Sequence, residues 1–249
     1  MVDIPAAYFA DAYNAWAAAG GQGLKPWEII GLAVKEGLFD NEKKKPKPWK
    51  HQAVAKSPEN AKALWRSDFF YRFLGLDYFT NYTHVKGQDN TIGYTDADAP
   101  GHQGAFENRA NRLVPGISAA IDASLIATPH NGKDNAEGYD VVATDTFYIL
   151  VMRLDAALFQ THSSKVPGQH LGLGYMHFNQ GQGSYARFNK SAQQHLQEPG
   201  NMGKSLTEYA FQTKIPAIKD YGIPRRNAVK LMYYNDVFRI VYEDIDWTK

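Results

Sequence analysis

The apolar run Phe147-Tyr148-Ile149-Leu150-Val151-Met152 places the strongest constraint on how this chain folds. It lies within residues 139–162, whose apolar positions predict an α-helix. Six consecutive apolar residues leave no polar face for water over more than one helical turn, so we predict that this helix is central and buried. The rest of the chain must supply the elements that cover it.

Most of the remaining sequence also has helical character. Residues 5–19 are rich in alanine and are followed by Gly20-Gly21, which is typical of a helix end. The segment 26–39 has Pro26 in its first turn, a favoured position for proline. We predict further helices at residues 59–75, 103–113, 116–127, 184–198, 204–220 and 224–238.

The strongest strand signal lies at residues 78–95. Runs of β-branched and aromatic residues flank the turn sequence Lys86-Gly87-Gln88-Asp89-Asn90, which predicts a β-hairpin. Residues 40–60 and 163–183 have the proline, glycine and polar residues of loops. With no internal repeat and no long linker, the sequence predicts a single domain over residues 1–249, of α+β class and predominantly α.

The composition limits the partners of this chain. A net charge of +1 argues against nucleic acid, and the absence of cysteine excludes disulfides and cysteine-ligated zinc. No apolar stretch is long enough to span a bilayer, so we expect no membrane insertion. Residues 1–5 show neither the basic start nor the apolar run of a signal peptide. We therefore expect synthesis in the cytoplasm and, for a target in the periplasm or cell wall, delivery by another system.

Glu36 is the most informative candidate for chemistry. Ile29, Leu32, Ala33 and Glu36 recur at i, i+3, i+4 and i+7, which places Glu36 on the apolar face of its helix. Burial among apolar groups disfavours a charged carboxylate, so we expect the pKa of Glu36 to be raised. A general acid that works near neutral pH needs such a pKa. The alternative is a carboxylate at a helix end that points into water.

Several motifs occur in an order that resembles the lysozyme superfamily. Glu36 is followed by Gly37-Leu38, the predicted hairpin carries Asp89-Asn90-Thr91-Ile92-Gly93-Tyr94, and residues 221–228 contain Arg225-Arg226-Asn227-Ala228. The segment Gly172–Gln180 is similar to the Gly-Leu-Met-Gln segment of lytic transglycosylases. The resemblance implies a lysozyme-like fold with a small hairpin. Because the interval from Glu36 to Thr91 is longer than in phage-type lysozymes, it also implies large insertions.

The same resemblance implies a muramidase that cleaves the bond between N-acetylmuramic acid and N-acetylglucosamine in peptidoglycan. Such cleavage usually needs an acid and a second carboxylate. We assign Glu36 as the acid, Asp89 as the second carboxylate and Thr91 as a residue that holds a water. Asp89 can instead be an ordinary turn residue and Thr91 an ordinary strand residue. Glu36 would then act alone as acid and base, as the transglycosylase resemblance implies.

Residues in the predicted hairpin and in the glycine-rich segment are candidates for sugar binding. They are Tyr94, Tyr175, His177, Asn179 and Gln180. Their alternatives are core packing for Tyr175 and a local hydrogen bond for His177.

Residues 96–107 match part of a calcium-binding loop. Asp96, Asp98, Gly101 and Glu107 stand at positions 1, 3, 6 and 12 of such a loop, while Pro100 at position 5 offers no side-chain oxygen. We therefore consider a structural Ca²⁺ and expect no cofactor for the reaction itself. The alternative is an acidic loop before a helix whose start Glu107 favours.

We expect a delivered enzyme, either a phage lysin or an antibacterial effector domain. Its partners are peptidoglycan glycan strands and, for an effector, an immunity protein that blocks the groove. Two other hypotheses remain open. One is a chitinase-like or chitosanase-like hydrolase, since Gly93-Tyr94-Thr95 is similar to a chitosanase segment. The other is a non-catalytic module that binds cell walls or belongs to a phage or secretion particle.

Overall fold

The computed structural model describes residues 5–36, 38–40, 45–46, 50–53, 55–73, 95–130, 138–166, 174 and 177–178. In these ranges the chain is mostly helical, with short antiparallel strands, which confirms an α+β class that is predominantly α. The helices are α1 (Ala6–Ala18), α2 (Pro26–Lys35), α3 (Pro58–Phe73), α4 (Ala99–Leu113), α5 (Ile117–Ala123) and α6 (Asp145–Ser163). The strands are β1 (Phe39–Asp40), β2 (Lys45–Pro46), β3 (Lys50–Ala53), β4 (Leu125–Pro129) and β5 (Tyr139–Ala143).

The chain divides into two compact units. One comprises Val2–Ala157 with Asp246–Lys249, and the other Leu158–Ile245 with Met1. Helices α1 to α5, all five strands and the first thirteen residues of α6 belong to the first unit. The prediction of a single domain stays a prediction.

The strands form two antiparallel sheets. Strands β1 and β2 pair with Phe39 opposite Pro46, directly after α2. The second sheet has the order β3-β5-β4, and α3 packs against all of its strands. Leu125 and Val141 are buried while Ile126 and Val142 are exposed, so the second sheet covers the core with one face and meets water with the other.

Two of the predicted helices were wrong at the end where β4 or β5 forms. The helix predicted at 116–127 ends at Ala123 and is followed by β4, and the first residues of the helix predicted at 139–162 form β5. The reason is a pairing between these two segments that local periodicity does not reveal. The backbone carbonyl of Ser124 accepts hydrogen bonds from the backbone N–H and the hydroxyl of Thr144, which fixes the start of the β4–β5 pair.

The other helix predictions within the described residues agree with the structure. Helices α1, α3 and α4 match the predictions for 5–19, 59–75 and 103–113, although α4 begins four residues early. Helix α2 begins as predicted but ends at Lys35 rather than at Phe39, which belongs to β1. Residues 40–60 contain short strands and the start of α3 where a loop was predicted. Almost all of the predicted hairpin, and the helices predicted at 184–198, 204–220 and 224–238, lie outside the described residues.

The core is an aromatic cluster between α3 and α6. Trp65 and Phe69 of α3 stack with ring centroids 5.5 Å apart, and Phe147 of α6 meets them edge-on at 5.4 Å and 4.9 Å. All three side chains are fully buried. Edge-to-face pairs of this kind add about 0.5–1.5 kcal/mol beyond the burial of their area. The predicted central position of the helix that begins at Asp145 is therefore confirmed.

Helices α1 and α2 complete the first unit. Tyr8 and Ala12 give α1 a buried stripe, and α1 packs on α2. Arg153 of α6 forms an ion pair with Asp11 of α1. Gly20 and Gly21 follow α1 with φ angles of 67° and 73°, a backbone conformation that favours glycine and ends the helix where the sequence predicted it.

A fully buried arginine ties α3, α4 and α5 together. Arg66 forms an ion pair with Asp122 and donates from Nη2 to Gln103 Oε1 at 2.7 Å. Its guanidinium carbon lies 3.9 Å from the centroid of the Phe106 ring. Burial lowers the pKa of Arg66 to about 9, with the charge of Glu107 acting in the opposite direction, so the guanidinium stays charged at neutral pH.

Asp122→Ala should strongly destabilise the first unit, because it leaves the buried guanidinium of Arg66 without its carboxylate. We expect the free energy of unfolding to fall by about 3 kcal/mol, measured by urea denaturation. Asp140→Ala is the control, because Asp140 pairs with His130 at an exposed site where a pair contributes about 1 kcal/mol or less. Equal losses in the two variants would contradict the structural role of Arg66.

Candidate functional site

Glu36 caps the C-terminal end of α2. Its backbone N–H bonds to the Leu32 carbonyl at 2.9 Å, and the N–H of Leu38 bonds to the Ala33 carbonyl at 3.0 Å. The second bond spans the helix end as in a Schellman motif and fixes where the chain leaves the helix. Ile29, Leu32 and Ala33 are buried, which confirms the predicted apolar face, and Glu36 itself is half-buried. Its position is therefore neither fully wet nor closed to solvent.

The other end of α2 is fixed by a different glutamate. Glu28 Oε2 accepts a hydrogen bond from the backbone N–H of Lys25 at 2.8 Å, and Pro26 occupies the first helical position. Burial raises the pKa of Glu28, while its hydrogen bond from Lys25 acts in the opposite direction. Glu28 therefore has a capping role, and only Glu36 stands at the end of α2 that leads into β1.

Asp155 of α6 is a buried ionisable group of the first unit. It is 2% exposed, and neither carboxyl oxygen has a hydrogen-bond partner within the described part of the chain. Burial raises the pKa of Asp155 well above its usual range, and the negative charge of Glu36 raises it further. The second contribution requires Glu36 to lie within electrostatic reach of Asp155.

Glu36 and Asp155 therefore form a coupled pair of carboxyl groups. Two such groups lose their protons in separate steps that belong to the pair, because the first negative charge opposes the second. Burial of Asp155 opposes the second ionisation as well. The negative end of the α2 dipole also disfavours charge at the helix end where Glu36 stands. Asp155 is thus the member of the pair whose ionisation is opposed by both burial and the neighbouring charge.

Asp155 was not singled out from the sequence, although a signal was present. Tyr148, Met152 and Asp155 recur at i, i+4 and i+7, so they share one face of a helix that was predicted to be buried. All three side chains are buried in the structure. An acidic residue on the apolar face of a central helix could therefore have been recognised as a second candidate.

Most residues predicted to bind or process sugar are outside the part of the chain that the structure describes. Asp89, Thr91, Tyr94, Tyr175, Asn179 and Gln180 lie outside the described residues. His177 is buried in the second compact unit, beside His162, whereas Glu36 belongs to the first. The roles of these residues and the sugar groove beside Glu36 stay predictions.

The predicted calcium ligands serve other partners. Asp96 Oδ1 accepts from the Asn60 side chain at 2.8 Å and from the backbone N–H of Lys56 at 3.1 Å. Asp98 Oδ2 accepts from the backbone N–H and the hydroxyl of Thr95, both at 2.7 Å. These hydrogen bonds lower the pKa of both carboxyl groups.

The backbone of this segment also differs from that of a calcium loop. A short 3-10 helix, Asp96–Asp98, leads directly into α4, and Glu107 lies eight residues inside α4 rather than at its start. Glu107 forms a hydrogen bond with Gln103. Across the described ranges, no three His, Cys, Asp or Glu residues gather to hold a metal ion. The calcium site stays a prediction that this arrangement does not support.

A cavity of about 450 Å³ lies among α3, α4 and α5. Its lining includes Lys62 of α3, Pro100 and Gln103 of α4, and Asp122 of α5. Neither Glu36 nor Asp155 lines this cavity, so it is separate from the carboxyl pair.

Comparison with known proteins provides no relative: no family model, no curated protein and no solved structure matches the chain. None of the helices in the described ranges has the length and hydrophobicity needed to cross a membrane.

Asp155→Asn should change how the stability of the protein depends on pH. The raised pKa means that folded Asp155 keeps its proton at pH values where the unfolded chain has lost it, so wild-type stability falls as pH rises above the usual value of 3.8. The loss continues up to the folded pKa and is absent in the variant. We expect the variant to gain on wild type by up to about 1.4 kcal/mol per pH unit within this window.

Urea denaturation of both proteins over the range from about pH 5 to about pH 8 measures this difference. Asp145→Asn, which makes the same substitution at the exposed start of the same helix, is the control. A difference between Asp155→Asn and wild type that does not change with pH would contradict the raised pKa.

Proposed function

We propose that this chain is a glycoside hydrolase that acts on peptidoglycan and cleaves the bond between N-acetylmuramic acid and N-acetylglucosamine. The observation that carries the proposal is the coupled pair of carboxyl groups, with half-buried Glu36 at a helix end and Asp155 buried beneath the surface. Glycoside cleavage needs a carboxylic acid that still holds its proton near neutral pH. The order of Glu36-Gly37-Leu38 and the later lysozyme-like motifs supports the same conclusion.

The burial of the two groups divides their roles. Asp155 is closed to solvent and cannot contact a sugar, whereas Glu36 is partly exposed. Glu36 is therefore the member of the pair that can contact the leaving glycosidic oxygen, and as the acid it passes on the proton that Asp155 keeps. Asp155 is a positioning residue that acts through Glu36, because its buried carboxyl group opposes the loss of the last proton from the pair.

The arrangement is costly for folding, which favours a functional explanation. A buried carboxyl group without a hydrogen-bond partner destabilises the folded protein, and apolar or amide side chains fit such positions at lower cost. Asp155 imposes this cost on the free energy of folding, and it does so in a helix whose other buried residues are mostly apolar. Groups with strongly perturbed pKa values that lie beside a second charged group are concentrated at functional sites.

Two mechanisms are compatible with the proposal, and they differ in whether a second carboxylate takes part. In one, Asp89 stabilises charge or activates water from the opposite side of the sugar. In the other, Glu36 acts first as acid and then as base. Under either mechanism the enzyme reaches the cell wall by delivery, as a lysin or an antibacterial effector, and an effector requires an immunity protein in the producing cell.

Glu36→Gln tests the proposal directly. The substitution removes the transferable proton and keeps the size of the side chain, so turnover of purified peptidoglycan should fall by about 10²–10⁴-fold. Glu28→Gln is the matched control, because it makes the same change on the same helix and the amide oxygen can still cap Lys25. Its turnover should stay close to wild type.

The assay measures turbidity loss of purified cell walls and identifies the released fragments by mass spectrometry. Sugar release from chitosan with no release from cell walls would replace the muramidase with a chitosanase. Binding of cell walls without fragment release by wild type would favour a non-catalytic module. Equal activity of Glu36→Gln and wild type would remove Glu36 from the mechanism.

A further inference from the structure

The cavity among α3, α4 and α5 has the size of a small-molecule binding site. Its volume of about 450 Å³ lies within the range of about 300–1,000 Å³ that is typical of ligand pockets. Ala63, Ala99, Pro100 and Ala123 form the apolar part of its lining. Ala63 and Ala99 are buried, whereas Pro100 and Ala123 are exposed. The lining therefore runs from the core to the surface, and a ligand can enter from solvent.

The polar groups on the α4 and α5 side of the cavity already have partners. Asp122 forms an ion pair with Arg66 and accepts a hydrogen bond from Gln103 Nε2 at 3.1 Å. Gln103 also donates from Nε2 to Glu107, and its Oε1 accepts from Arg66. Both N–H groups of the Gln103 side chain are therefore in use. This side of the cavity serves the fold.

The α3 side of the cavity presents polar groups that are not used in this way. Glu59 and Lys62 belong to its lining, and within the described residues neither side chain forms an ion pair or a hydrogen bond. Asn60 donates from Nδ2 to Asp96 Oδ1 at 2.8 Å, which leaves its side-chain carbonyl oxygen available as an acceptor. One helix therefore offers a negative group, a positive group and a hydrogen-bond acceptor to the same cavity.

These charges favour a ligand that carries both signs. A ligand with a single charge would take water from both Glu59 and Lys62 but pair with only one of them, which is unfavourable. The two residues stand three apart on α3, so their Cβ atoms are about 5–6 Å apart. The two ends of an extended dipeptide lie about 7 Å apart. Flexible side chains can cover the small difference.

We propose that the cavity binds a short peptide of about two residues with a free amino end and a free carboxyl end. Its ammonium group pairs with Glu59, its carboxylate pairs with Lys62, and its peptide N–H donates to the side-chain carbonyl of Asn60. Small apolar side chains of the peptide contact Ala63 and Ala123. The charges of the ligand and of the α3 side are then both compensated.

Calorimetric titration of the full chain with L-alanyl-L-alanine tests this proposal. Wild type should bind one molecule with a Kd of about 1 mM or tighter, as expected for a ligand of this size. Two matched ligands each lack one charge, since one is acetylated at the amino end and the other is amidated at the carboxyl end. Each should bind about threefold more weakly or worse, because each loses one charge-assisted contact.

Substitutions on α3 identify which group meets which end. Lys62→Met should weaken binding of alanyl-alanine about threefold or more and leave binding of the amidated ligand unchanged, because the contact is already lost there. Glu59→Gln should behave in the same way towards the acetylated ligand. Lys56→Met is the control, because Lys56 is exposed and does not line the cavity. It should bind all three ligands like wild type.

NMR of the wild-type protein provides a second readout that does not depend on the folding of any variant. Addition of alanyl-alanine should shift the backbone amide signals of residues 59–63 and of Ala123. Absence of saturable binding, equal affinity for the three ligands, or signal shifts confined to other residues would overturn the proposal. The proposal goes beyond the muramidase function, and because neither measurement uses glycosidase activity, the two succeed or fail separately.

Discussion

The burial of Asp155 is the constraint on which the account of this protein depends. A carboxyl group at this position has lost its contact with water and gains no hydrogen bond in exchange within the described residues. Its neutral form is the only one that the surrounding core tolerates at modest cost. Because Glu36 carries a second carboxyl group within electrostatic reach, the cost of ionising one group depends on the state of the other.

Arg66 shows what a compensated buried charge looks like in the same unit. It is as deeply buried as Asp155, yet it has an ion pair with Asp122, a hydrogen bond with Gln103 and the ring of Phe106 beneath it. These contacts join three helices and explain Arg66 as a structural residue. Within the described residues Asp155 has no equivalent set of partners, and we therefore interpret its burial in terms of chemistry at Glu36.

Local sequence patterns predicted the helices and the placement of Glu36, because both depend on the spacing of apolar residues along one segment. The β4–β5 pair was not predicted, because the pairing of two strands depends on the tertiary fold and is not visible in the local pattern of either segment. The proximity of Asp155 and Glu36 likewise depends on how separate helices pack. Gly174 is likewise visible in the sequence, but its close approach to Ser163, which a Cβ atom at position 174 would block, depends on tertiary packing.

The most direct test of this account is a carbon-13 NMR titration of the Asp155 side-chain carboxyl group in wild type and in Glu36→Gln. In wild type we expect Asp155 to stay protonated well above the usual pH range of an aspartate. In Glu36→Gln the pKa of Asp155 should fall, because the charge of Glu36 is removed. An Asp155 that titrates in the ordinary range, or one that does not respond to the change at position 36, would contradict it.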